Sequence, residues 1–136
     1  MKTLIKTFED LEGNPFKVEF KEHDISKYDV LYHVASKENR LSLEINGLLR
    51  YQPITKSITK TGMLFFSYPI NHNTSDLFRW NDDYNSLIVL DAKKLKEDGY
   101  IFYDDYFGSK DLSSNRNHIC CDVDIPKEYI KKVIEF

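Results

Sequence analysis

Apolar residues in this chain come in short runs, each interrupted by polar or turn-forming residues. VLYHV (30–34), MLFFSY (63–68), SLIVL (86–90), YIFY (100–103) and HICCDV (118–123) are four to six residues long. Runs of that length, rich in β-branched and aromatic residues, read as strands. None approaches the 18 or so apolar residues of a membrane-spanning helix, so no membrane partner is expected. Only short helices fit between them. Short strands and short helices in irregular order indicate an α+β fold, not a doubly wound parallel sheet. A length of 136 residues suits one domain.

Along the chain, residues 3–8 and 15–20 flank Glu12-Gly13-Asn14-Pro15 and read as an N-terminal β-hairpin. Val18 and Phe20 alternate with Lys17, Glu19 and Lys21, which gives that hairpin one buried face. Ser36 stands where a helix N-cap would, and Gly47 where its C-terminal stop would. Leu41, Leu43, Ile45 and Leu48 are expected to supply the buried side of that helix. Residues 53–61 read as a polar loop, and Leu77, Phe78 and Trp80 as one helical turn. Asp91 and Gly99 bracket a second short helix over 92–97. Residues 127–132 read as one helical turn before a last strand over 133–136.

Charge excludes one broad class. Nineteen basic against twenty-two acidic residues leave a net charge of −3, with no basic excess for phosphate neutralisation along a nucleic-acid backbone. Aromatics make up 14% of the chain, which excludes a mostly disordered one. The first ten residues carry acids and lack a long apolar core, so a secretory signal is not expected. Cys120 and Cys121 are adjacent, and neighbours on a strand point to opposite faces. They are therefore expected to be buried thiols in a reducing cytoplasm, neither a disulfide nor a CxxC motif.

The four histidines, His23, His33, His72 and His118, lack metal-ligand spacing, and no metal is expected. Phosphate-loop, dinucleotide-fold and nucleophile-elbow glycine motifs are absent from the sequence. Asp82-Asp83 and Asp104-Asp105 read as solvated turn acids rather than acid–base pairs.

The most informative stretch is LYHVASKENRLSLEINGLL (31–49). It places Tyr32-His33 on a strand, then Ser36, Asn39 and a helix that ends in Gly47-Leu48. An apolar strand over 64–66, a strand–helix unit over 87–95 and Asp98-Gly99-Tyr100-Ile101-Phe102-Tyr103 follow, and the chain closes on IPKEYIKKV (125–133). In that order these segments resemble the ADP-ribosyltransferase fold. The likeness is to the DNA-modifying ADP-ribosyltransferase toxins and to the RNA 2′-phosphotransferase branch. It covers residues 30–136 and leaves residues 1–29 as an N-terminal hairpin extension, a possible edge for a protein partner.

The resemblance implies two small, mostly antiparallel sheets with NAD, as substrate, in the cleft between them. It implies that His33 orients the nicotinamide ribose and that Ser36 and Asn39 line the adenosine side. Phe65, Phe66 or Tyr68 would stack on nicotinamide, and Arg79, with Arg50 second, would hold the pyrophosphate. Seven residues before Ile125 stands His118, where these transferases carry a glutamate. His118 with Asp122 would then occupy the acid position. The leading expectation is a transferase acting on a protein or nucleic-acid target, of the kind used in bacterial or phage conflict. The alternatives are 2′-phosphate transfer from RNA to NAD, and a non-catalytic nucleotide- or protein-binding domain.

Overall fold

In a computed structural model the described residues are 2–9, 12–50, 63–68, 84–104 and 118–135. They form eight strands, two short helices and one 3-10 turn. The strands are β1 (Thr3–Glu9), β2 (Pro15–His23), β3 (Val30–Ser36), β4 (Leu64–Ser67), β5 (Tyr84–Asp91), β6 (Phe102–Asp104), β7 (His118–Cys121) and β8 (Ile130–Glu135). Helix α1 (Lys37–Asn46) follows β3, α2 (Ala92–Glu97) follows β5, and the 3-10 turn Lys127–Tyr129 leads into β8. The expected polar loop over 53–61 and the helical turn at 77–80 lie outside the described residues.

All strand pairs are antiparallel, and the order is β1-β2-β6-β7-β4-β3-β5-β8. The strands thus form one continuous sheet where two were expected. The strand that joins the halves is β4. It pairs with β7 at four positions, Leu64 to Ser67 against Cys121 to His118, but with β3 only at Tyr32↔Ser67. The β3–β4 junction is a seam with minimal ladder support. By contrast, β3 and β5 pair from Val30↔Asp91 to Ser36↔Tyr84.

Strand alternation sends apolar side chains to both faces. On the helix-covered face, Leu31, Ala35, Phe66, Ile88, Leu90, Phe102, Ile119 and Cys121 join Leu43, Ala92 and Leu95 in the main core. On the other face, Val18, Phe20, Met63, Tyr103 and Cys120 form a second cluster. The adjacent cysteines fall in different clusters, as alternation requires, and both are free and buried. The hairpin β1–β2 supplies Val18 and Phe20 to the second cluster, and β2 continues to His23, where it pairs with β6.

Helix α1 differs from the expected packing. Leu43 is buried, whereas Leu41 and Ile45 are 55% and 69% exposed. The two lie one turn apart on a shared face, and Leu43 points the other way, so the short helix seats only one leucine on the sheet. Leu48 is buried just past the helix end. There Gly47 adopts φ +76°, and Leu48 exchanges two backbone hydrogen bonds with Ile125, at 2.7 and 2.9 Å. The Gly-Leu and Ile-Pro segments, far apart in sequence, therefore meet.

Candidate functional site

His33 sits on β3 at the seam and is half-buried. Its Nδ1 lies 2.8 Å from the Phe65 carbonyl oxygen across that seam. A carbonyl can only accept, so Nδ1 carries the proton and donates. The ring tilts against Phe66 with centroids 5.4 Å apart. Burial pushes the His33 pKa below the ordinary imidazole value, partly opposed by the bond to Phe65. At neutral pH the ring is therefore uncharged. Its Nε2 is a lone-pair acceptor with no hydrogen-bond partner among the described residues.

The register fixes what shares a face with His33. Tyr32 pairs with Ser67, and Ser67 with His118. Those three lie on one face, and His33, Phe66 and Ile119 on the other. His118 thus stands on the face opposite His33. Phe65 also points to the opposite face, where it packs on the second cluster, and meets His33 through its carbonyl alone. Tyr68 follows β4 on the His33 side and packs against the main core. Strand β7 stops at Cys121, so Asp122 lies in the bend that follows and does not inherit the face of His118 by strand alternation.

The remaining sequence candidates have local structural roles or fall elsewhere. The Ser36 Oγ accepts from the Asn39 backbone N–H at 3.2 Å and caps α1. That bond uses the Ser36 side chain and only the main chain of Asn39. Arg50 donates its backbone N–H and its Nε–H to Asp124, at 2.8 and 3.4 Å. Arg79 lies outside the described residues. Among the described residues, no three His, Cys, Asp or Glu side chains gather as a metal ion would need.

One cluster on the same face escaped the sequence reading. The His23 Nδ1 lies 2.7 Å from Asp104 Oδ1, and its Nε2 lies 2.8 Å from Tyr28 Oη. The Tyr68 ring stacks on both His23 and Tyr28, with centroids 5.0 and 4.8 Å away. Burial first, then the Asp104 and Asp24 carboxylates, push the Tyr28 pKa upward, so its hydroxyl keeps its proton. Burial raises Tyr68 in the same direction. His23 and Asp104 are 81 residues apart, and no local spacing announces the pair.

Compared with known proteins, the chain matches no family model and no curated protein significantly. No helix among the described residues is long and apolar enough to cross a membrane.

Proposed function

We propose that this chain is an ADP-ribosyltransferase-like domain that takes NAD as substrate and cleaves its nicotinamide–ribose bond. The observation that carries the reading is His33. It stands at the thinly paired seam, with its proton fixed on Nδ1 by Phe65 and a neutral acceptor at Nε2. A ribose hydroxyl is the natural donor to such an atom. His33 would orient the sugar, and Tyr68, on the same face, is the ring best placed to stack on nicotinamide. Positioning and electrostatics would supply most of the acceleration. The acceptor would be a protein or a nucleic acid gripped locally, given the net charge of −3.

The test is to titrate NAD into the protein and assay nicotinamide release, comparing wild type with His33→Ala. Release that depends on His33 supports the reading. Absence of NAD binding refutes it.

A second reading has its own support. His118 faces away from His33, and Asp122 lies past the end of β7. Among the described residues His118 therefore does not share the face of His33, which favours a nucleotide-binding domain without transferase activity. Tight NAD binding with no nicotinamide release would identify that case.

A further inference from the structure

The hydrogen-bonded series Asp104–His23–Tyr28 is assembled from three places: the end of β6, the end of β2 and the loop before β3. The Asp104 end of the series has a direction set by chemistry. The Asp104 carboxylate oxygen accepts, so the proton between Asp104 and His23 sits on Nδ1. When the ring carries only that proton, Nε2 has a lone pair to which the Tyr28 hydroxyl, 2.8 Å away, donates. A carboxylate, an imidazole held in one tautomer and a hydroxyl in line is the arrangement that withdraws a proton from the hydroxyl end. Tyr28 cannot serve as a standing phenolate, because burial and the nearby carboxylates hold its proton on. It can pass a proton along.

Ring contacts link the series to the seam. His23 pairs with Phe102 on β6, which puts His23, Phe102 and Asp104 on one face, and Phe102 packs edge-on against Phe66. Phe66 is the ring that touches His33. Tyr68, stacked over His23 and Tyr28, is two residues beyond Phe66, about 7 Å along the strand. Among the described residues, charged groups near the cluster include Lys27, whose Nζ lies 5.3 Å from the Tyr28 ring, and Asp24, which is paired with Lys96 at 3.5 Å.

We propose that Asp104, His23 and Tyr28 form the general-base relay for the group that attacks the NAD ribose, a role that rests on the NAD reading above. The acceptor, water in the simplest case, bonds through oxygen to the ribose C1′ as the C1′–nicotinamide bond breaks. The bonding pair leaves on the nicotinamide nitrogen, which becomes neutral. The acceptor proton moves to Tyr28 Oη while the Tyr28 proton moves to His23 Nε2. Asp104 stabilises the imidazolium, which then returns its proton to solvent. In this chain the relay does the proton-accepting work from the β2–β6 side of the seam.

The experiment measures nicotinamide release from NAD in water by wild type, Tyr28→Phe, His23→Gln and Asp104→Asn, each first checked for an unchanged melting temperature. Tyr28→Phe keeps the stacked ring and removes only the hydroxyl. Asp104 is 60% exposed at its side chain, so Asp104→Asn gives a second variant with little burden on folding. The expected result is a kcat lowered about 100-fold with KM for NAD unchanged, and loss of the solvent deuterium isotope effect on kcat. A purely structural role would not separate kcat from KM in this way. Unchanged kcat in folded Tyr28→Phe and Asp104→Asn, with release still dependent on His33, overturns the relay alone. Wild type that binds NAD without releasing nicotinamide overturns the relay and leaves the binding reading. Wild type that does not bind NAD overturns both.

Discussion

Replacing Gly47 by alanine tests how the C-terminal end of α1 is held. Gly47 has φ +76° and ψ −169°, a region that essentially only glycine occupies. A Cβ built there would stand 2.4 Å from the Ile125 carbonyl oxygen, 2.9 Å from the Lys127 nitrogen and 3.1 Å from the Pro126 carbonyl carbon. All three are main-chain atoms and cannot rotate aside. Alanine must therefore displace residues 125–127 or leave the conformation that closes the helix. The first route breaks the paired hydrogen bonds between Leu48 and Ile125, and the second breaks Gly47 N–H to the Leu43 carbonyl.

Backbone strain of this kind costs about 1–3 kcal/mol. Each lost hydrogen bond adds about 1 kcal/mol. Partial unpacking of Leu48 and Ile125, both fully buried, adds a similar amount, so the expected loss is about 3–5 kcal/mol. For a chain of this size that is a fall in Tm of roughly 10–20 °C. The control is Gly13→Ala. Gly13 has φ +83° but nothing within 4 Å of a built Cβ, so it carries only the conformational cost of about 1–2 kcal/mol. Thermal and urea unfolding of the two variants isolates the steric contribution. If Gly47→Ala loses no more stability than Gly13→Ala, the close approach of Ile125 is not what fixes the helix end.

Four further outcomes are expected. Because the folded chain holds the His33 pKa low, the unfolded chain binds more protons just below pH about 6.5. Stability should therefore fall as pH drops through that window, and His33→Gln should flatten the slope seen by urea unfolding between pH 5 and 8. Ser36→Ala removes the α1 cap and should cost about 1 kcal/mol in the same assay, with Ser36→Asn retaining most of it. Phe66→Ala empties a site packed by Phe102 and His33 and should cost about 3–5 kcal/mol. The Cys121 thiol, pushed up to about 12 by burial, should resist alkylation at pH 8 until the protein is unfolded, as mass spectrometry would read.

What was legible in the sequence was local. Asp91 and Ser36 act as N-caps, accepting from the Lys94 and Asn39 backbone N–H groups, because capping needs only a side-chain oxygen three residues ahead. The strand alternation of Val18 and Phe20 and the opposite placement of Cys120 and Cys121 were legible for the same reason. Pairing was not. Nothing in β4 itself shows that it meets β7 at four positions and β3 at one, yet that register separates His118 from His33. Strand β7 stops at Cys121, so the alternation that fixes the face of His118 does not extend to Asp122. Leu41 and Ile45 have core-like identity, but which side of a short helix is covered depends on where the sheet lies. His23, Tyr28 and Asp104 look like ordinary strand-end and loop residues until β2 and β6 are brought together.

The thin seam has a mechanical consequence. With one register pair between β3 and β4, the His33–Phe65 hydrogen bond is one of the few polar ties across that junction among the described residues. A ligand that donates to Nε2 polarises the imidazole and strengthens the opposite Nδ1–H bond, since hydrogen bonds in series reinforce one another. Occupancy on one side of the ring thereby stiffens the joint on the other. If NAD engages Nε2, slower amide exchange along β4 is the expected outcome.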